Sequence, residues 1–169
     1  FSRLITDSKL DVFLLNTQYR MHPKIAEFPA AHFYSDKLLN GVAAQDRPIV
    51  PGFDWPQNLP VAFLNMPGSK ESRGTAGGAK SWINNVEAVH LCDIVKDLLK
   101  SHLTPPKSIG IITPYSAQVR LIFDLLNHSL KDYSYSGVDI ADDENMIDYK
   151  GHGIYGITIS SVDGFQGRE

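Results

Sequence analysis

Ser160-Ser161-Val162-Asp163-Gly164-Phe165-Gln166-Gly167-Arg168-Glu169 closes the chain, and the reading of this stretch decides the fold. A β-rich run, Ile157 to Val162, feeds a polar turn punctuated by Gly164 and Gly167. Such a junction delivers backbone N–H groups and a carboxylate to the carboxyl edge of a sheet, where open α/β sheets bind their ligands. A natural domain seldom ends inside such a turn, and the chain begins on Phe1 rather than Met. The expectation is therefore a piece of a longer protein.

Working back from that turn, apolar runs and helical periodicity alternate. Val12–Leu15 and Val61–Met66 read as short strands, and Ile109–Ile112 as a continuous apolar strand of the kind buried on both faces of a parallel sheet. Pro23 suits the first turn of a helix running to about Phe33. Ala88, Leu91, Cys92, Val95, Leu98 and Leu99 recur at helical spacing, which predicts an amphipathic helix from about Ser81 to Lys100. Pro114 opens another helix with Val119, Ile122, Phe123 and Leu126 inward. Pro48, Pro51, Pro56 and Pro60 mark an ordered loop anchored by Phe53 and Trp55, and 68–80 reads as a small-residue loop. The alternation predicts an α/β fold with a mostly parallel sheet covered by helices on both faces.

At 169 residues, with 43% hydrophobic and 21% charged residues, the chain has the composition of one soluble globular domain. It contains no apolar run of about 18 residues, the length a membrane span requires. Cys92, the single cysteine, falls on an apolar helix face and reads as a buried hydrophobe rather than a nucleophile. The net charge of −3 is uneven: Asp132 to Asp148 holds six acids and no Lys or Arg, so the remainder has 13 acids against 16 bases. That remainder is compatible with phosphate contacts. The segment from Lys131 to Gly156 lacks periodicity and reads as a solvated insertion or as a regulatory flap over a nucleic-acid path.

Two further motifs accompany the terminal turn: Asn16-Thr17-Gln18-Tyr19-Arg20-Met21-His22-Pro23 and Ile109-Gly110-Ile111-Ile112-Thr113-Pro114-Tyr115-Ser116-Ala117-Gln118. In order and spacing the three resemble the second RecA-like domain of superfamily 1B helicases, the up-frameshift and senataxin-like group that works on RNA or DNA. One departure is minor: Gly164 stands where many relatives carry alanine. The resemblance covers roughly residue 10 to the end. It implies a RecA-like three-layer sandwich, with 1–169 a partial second motor domain cut within or just after the fifth helicase motif.

Phosphoryl transfer from ATP needs positive charge near the γ-phosphate, and an always-charged guanidinium that grips two oxygens supplies it. Arg20 is the candidate. The resemblance makes it a cis-acting arginine finger reaching across to ATP held by the first RecA-like domain; the plainer reading is an Arg bridging to a carboxylate. The resemblance also assigns adenine stacking to Tyr19, which otherwise reads as a core tyrosine, and a ribose contact to Glu169, otherwise an exposed terminal residue. Gln18 is a weaker candidate for nucleotide contact. Gly167 lets backbone approach a phosphate without a Cβ in the way. His22 reads as a helix-capping or packing residue rather than a ligand or base, with no second His or Cys at metal-ligand spacing. Thr113, Pro114, Tyr115 and Ser116 end a strand and begin a helix, which suits one phosphate or a simple cap. The resemblance places that turn, with Ser161 and Asp163, on the nucleic-acid backbone. Contacts of this kind carry no sequence information.

Gly74-Thr75-Ala76-Gly77-Gly78-Ala79-Lys80-Ser81 nearly spells a P-loop, but Ala79 replaces the second glycine and no strand leads directly into it. No intact P-loop or Mg²⁺-binding Asp-Glu pair is present, so Mg²⁺ is expected mainly on the first motor domain. The expected whole is a monomeric intracellular motor, cytoplasmic or nuclear, that uses ATP and moves 5′ to 3′ on single-stranded RNA or DNA; this piece alone should be inactive. Two rivals remain at this point: a non-catalytic binding module using the 45–60 loop, and a small nucleotide kinase using residues 74–81.

Overall fold

The computed structural model describes residues 3, 7, 13–76, 78–130, 152–154 and 156–167. They fall into two compact units, Phe1–Ile49 with Trp55–Ala62, and Val50–Asp54 with Phe63–Glu169.

In the first unit, β1 (Thr17–Gln18) pairs in parallel with β2 (Leu39–Asn40), and α1 (Pro23–Tyr34) lies between them in sequence. Pro23 occupies the first turn of α1, where its missing N–H costs nothing. His22 caps the helix, its Nδ1 accepting from the Lys24 N–H at 3.0 Å, as the sequence predicts. Ser35 and Asp36 end it in left-handed conformation (φ 50° and 58°), and the Asp36 N–H returns to the Ala30 carbonyl at 2.9 Å. Two 3-10 turns follow, Ala44–Asp46 and Pro56–Asn58.

In the second unit, a β-hairpin of β3 (Ser72–Ala76) and β4 (Ala79–Ile83) leads into α2 (Asn85–Lys100). After a 3-10 turn at Pro106–Ser108 come β5 (Gly110–Thr113) and α3 (Ser116–Ser129). β6 (His152–Ile154), β7 (Ile157–Ser161) and the four-residue α4 (Val162–Phe165) complete the described part. The sheet order is β5-β7-β6, with β5 and β7 parallel and β6 antiparallel to β7. This is an α/β arrangement. Its core joins Ala88, Cys92, Val95 and Leu99 of α2, Val119, Ile122 and Leu126 of α3, and Ile111, Ile157 and Ile159 of the sheet. The spacing of those residues along α2 and α3 is the helical periodicity that the sequence displays.

Five expectations need correction. Residues 13–15 and 61–66 are not strands, and Phe13 and Phe63 are each 89% exposed. Apolar, β-prone residues form a strand only against a neighbouring strand, and these two runs have none among the described residues. Ile112 is 52% exposed while Ile111 is buried, so β5 alternates instead of burying both faces. The supposed loop at 68–80 contains most of the hairpin, with Gly78 (φ 82°) providing its turn. The segment before Gly156 contributes β6, whereas the acidic stretch 132–148 lies outside the described residues.

Candidate functional site

The sequence motifs form two groups, one in each unit. The first is the turn that follows β1. The parallel pairing of β1 and β2 brings Asn40 and Gly41 beside it, with the Gly41 N–H donating to the Gln18 carbonyl at 2.8 Å. The Gln18 amide closes the turn from within. Its Oε1 accepts from the Arg20 N–H at 2.9 Å and the Met21 N–H at 2.7 Å. Its Nε2 donates to the Met21 carbonyl at 2.9 Å and to Asn40 Oδ1 at 2.7 Å. An amide side chain has two donors and two lone pairs, so these four bonds use its full capacity.

Arg47 closes the same turn from outside. Its Nε donates to the Arg20 carbonyl and its Nη2 to the Tyr19 carbonyl, each at 2.9 Å. Its Nη1 donates to the Asp46 carbonyl, also at 2.9 Å. The two residues between these carbonyls and the amide clamp, Tyr19 and Arg20, both have exposed side chains. Tyr19 is 65% exposed, which excludes the core-tyrosine reading. One side of its ring lies against Gly41, where a Cβ would stand 2.1 Å from Tyr19 Cε1. Arg47 and Gly41 belong to none of the sequence motifs. An Asn-Gly step at 40–41 was the only local signal, and nothing local marks Arg47.

The second group sits at the carboxyl ends of two parallel strands. Thr113 of β5 is the register partner of Ser161 of β7. Each strand then turns into a helix: Pro114 and Tyr115 lead into α3, and Ser161 caps α4 by accepting from the Gly164 N–H at 3.2 Å. Thr113 is buried, whereas Pro114, Tyr115, Ser116 and Asp163 are exposed. Ser161 uses its oxygen as an acceptor and retains its hydroxyl proton for donation. Gly167 has φ 80° and open space where a Cβ would point. Phe165 lies across Gly110, where a Cβ would meet its Cζ at 2.6 Å, and this contact seats the terminal turn against β5. Arg168 and Glu169 lie outside the described residues, so the ribose-binding assignment for Glu169 has no geometry.

The P-loop-like stretch is neither a loop nor adjacent to a helix start. Thr75 pairs with Lys80 and Gly74 with Ser81 across the hairpin. A phosphate cradle requires a loop between strand and helix whose N–H groups converge, and a ladder directs them to the neighbouring strand. Gly74 instead permits close packing: a Cβ there would meet Ile83 Cγ2 at 2.7 Å and Ala117 Cβ at 3.1 Å. This geometry removes the support for a kinase built on residues 74–81. Among the described residues, no group of three or more His, Cys, Asp or Glu is placed to hold a metal ion.

The profile of the AAA domain family matches residues 1–169. The chain belongs to the AAA domain family, among the up-frameshift-like superfamily 1 helicases. This AAA domain is similar to the "Regulator of nonsense transcripts 1 homolog" of Drosophila melanogaster, 37% identical over 160 residues that cover 93% of the chain and 12% of that protein. The Arabidopsis thaliana protein with the same description is 34% identical over 173 residues, covering 100% of the chain and 12% of its own length. "ATP-dependent helicase NAM7" of Saccharomyces cerevisiae is 32% identical over 173 residues, covering 100% of the chain and 15% of its own length. The AAA domain thus spans only 12–15% of the length of these curated relatives. No helix among its described residues is long and apolar enough to cross a membrane.

Proposed function

We propose that this AAA domain is the second motor domain of an ATP-dependent helicase acting on single-stranded RNA or DNA. Residues 1–169 would form part of a RecA-like three-layer sandwich that faces the first RecA-like domain of the same protein. ATP is held between the two. Arg20 reaches the γ-phosphate as an arginine finger, Tyr19 stacks on adenine, Glu169 meets the ribose, and the backbone at Gly167 approaches phosphate. Gln18 acts here by shaping the turn that presents Tyr19 and Arg20.

The observation that carries the reading is the doubly clamped turn at 18–21. Its main chain is held by six hydrogen bonds from the Gln18 amide, the Arg47 guanidinium and the Gly41 N–H. Its two outward side chains are an aromatic ring and a guanidinium. A rigid support under a cation suits transition-state charge stabilisation, because the cation needs little reorganisation at the moment of reaction. Mg²⁺ is held mainly by the first domain.

The second group would hold the strand. Ser161 and Ser116 hydroxyls and the Ser116 N–H opening α3 donate to phosphate oxygens, with Thr113 and Pro114 shaping the turn beneath them and Tyr115 exposed beside them. Asp163 orients neighbouring donors, because an ionised carboxylate has no proton to donate to a phosphate oxygen. Such contacts give sequence-tolerant binding. Opening and closing of the interdomain cleft then converts hydrolysis into 5′-to-3′ movement by a monomeric, intracellular motor.

The test is nucleic-acid-stimulated ATPase of the full-length protein with and without Arg20→Ala. Turnover should fall on the order of 10³-fold, with little change in strand binding. A loss of only a few fold beside robust wild-type activity would reject the finger assignment. A wild-type protein that binds nucleic acid but hydrolyses nothing would favour the binding-module reading.

A further inference from the structure

We propose that Arg47 is a positioning residue for catalysis, acting on the nucleotide only through the Tyr19–Arg20 main chain. The proposal rests on the reading of Arg20 as the γ-phosphate ligand. Its basis is the way Arg47 is used. Its three hydrogen bonds run to main-chain carbonyl oxygens, two of them on consecutive residues 27 and 28 positions away. Two consecutive carbonyls bound by one planar fork fix the two peptide planes that flank the Arg20 Cα, where a single contact would leave one of them free to rotate.

The fork is itself held in place. Arg47 follows the 3-10 turn Ala44–Asp46, and Asp46 Oδ2 accepts from the Ala43 N–H at 2.8 Å. The Asp46 carbonyl takes the third guanidinium bond, so the anchor and the clamp are joined. Gln18 grips the opposite side of the same turn through the Arg20 and Met21 N–H groups. Arg20 therefore has its N–H held by Gln18 and its C=O held by Arg47. Its Cα–Cβ vector is set from both sides before any ligand arrives. A misplacement of about 1 Å in a reacting group costs on the order of 10²-fold in rate, so a residue that sets this vector bears on turnover.

The experiment compares wild type, Arg47→Ala, Arg47→Lys, Arg20→Ala and the double variant Arg20→Ala/Arg47→Ala in the full-length protein. The readouts are nucleic-acid-stimulated kcat, KM for ATP, single-strand affinity and the thermal unfolding midpoint. Arg47→Ala should lower kcat on the order of 10- to 100-fold, with strand affinity and unfolding unchanged. Arg47→Lys should remain close to Arg47→Ala, because an ammonium is a point donor and cannot fork across two carbonyls. The double variant should be no slower than Arg20→Ala alone, since residues acting as a unit are not additive.

If Arg47→Ala stays within about twofold of wild type while Arg20→Ala loses its full activity, the positioning role is overturned and the finger reading stands. A double variant slower than Arg20→Ala by the full Arg47→Ala factor also overturns it, because Arg47 would then act independently of Arg20. Recovery to wild-type rate in Arg47→Lys does the same, by showing that charge suffices. If Arg20→Ala itself costs only a few fold, the finger reading fails and takes this proposal with it. Should Arg47→Ala unfold early, Arg47→Lys and its double variant with Arg20→Ala carry the comparison.

Discussion

At the scale of single residues, small side chains decide where large ones can point. Gly41 does not need its glycine for backbone conformation, because it is absent from the positive-φ positions. It needs it for space, since Tyr19 occupies the volume that a Cβ would take. Gly41→Ala should therefore displace the ring without disturbing the strand pair. Stacking on a base contributes roughly 1–3 kcal/mol, so the KM for ATP should rise about 10-fold, the equivalent of 1.4 kcal/mol. Strand affinity should not move. An unchanged KM would remove Tyr19 from the adenine site. Gly164 and Gly167 make the opposite pair: Gly167 has φ 80°, whereas Gly164 lies within α4 and is not a positive-φ position. Gly164 thus has a helical backbone that alanine also adopts.

At the scale of elements, one side chain joins the two main helices. Gln118 of α3 accepts from the Asn84 N–H at 2.8 Å and donates to the Asn84 carbonyl at 3.1 Å. Asn84 caps α2, its Oδ1 accepting from the Glu87 N–H at 3.2 Å. All of this is buried at Asn84 and Gln118, so Gln118→Ala leaves the Asn84 N–H without its partner at a cost of about 1–3 kcal/mol. Hydrogen exchange of a peptide spanning 81–90 should quicken by roughly 5- to 150-fold; unchanged protection would show that the clamp is dispensable. The Ala117 N–H adds a weaker tie, donating to Ser81 Oγ of the hairpin at 3.4 Å.

Cys92, on the same helix, gives a pH signature. Burial pushes its thiol from 9.0 up to about 11, with Lys96 pulling down and Asp93 pushing up more weakly. Below pH 9 the thiol is protonated folded and unfolded alike, so its contribution is intact. Between pH 9 and 11 the unfolded chain releases the proton while the folded one keeps it, and stability falls. Cys92→Val should flatten the stability curve in that window, and alkylation of the native protein at pH 8 should be slow until it unfolds. Rapid native alkylation would contradict the burial.

For the whole molecule, the near-P-loop is a hairpin, which offers no phosphate cradle. Residues 1–169 expressed alone should therefore show no nucleic-acid-stimulated ATPase above background, while the full-length protein hydrolyses ATP. Robust turnover by the isolated chain that Lys80→Ala abolishes would restore the kinase reading. The sequence by itself determined what depends on near neighbours: α1 after Pro23, the periodic faces of α2 and α3, β5 and β7, the His22 cap and the buried Cys92. The motifs also marked Tyr19, Arg20, Thr113 and Ser161 before any contact was known. Tertiary structure decided what depends on distant partners. Arg47 reaches 27 and 28 residues back, Gln118 reaches 34, and Gln18 meets Asn40 across 22. It also decided that the apolar runs near residues 13 and 63 form no strand while 72–83 does. Periodicity and caps are encoded within a few residues, whereas a polar side chain's partner and a strand's neighbour exist only once the chain has folded back on itself.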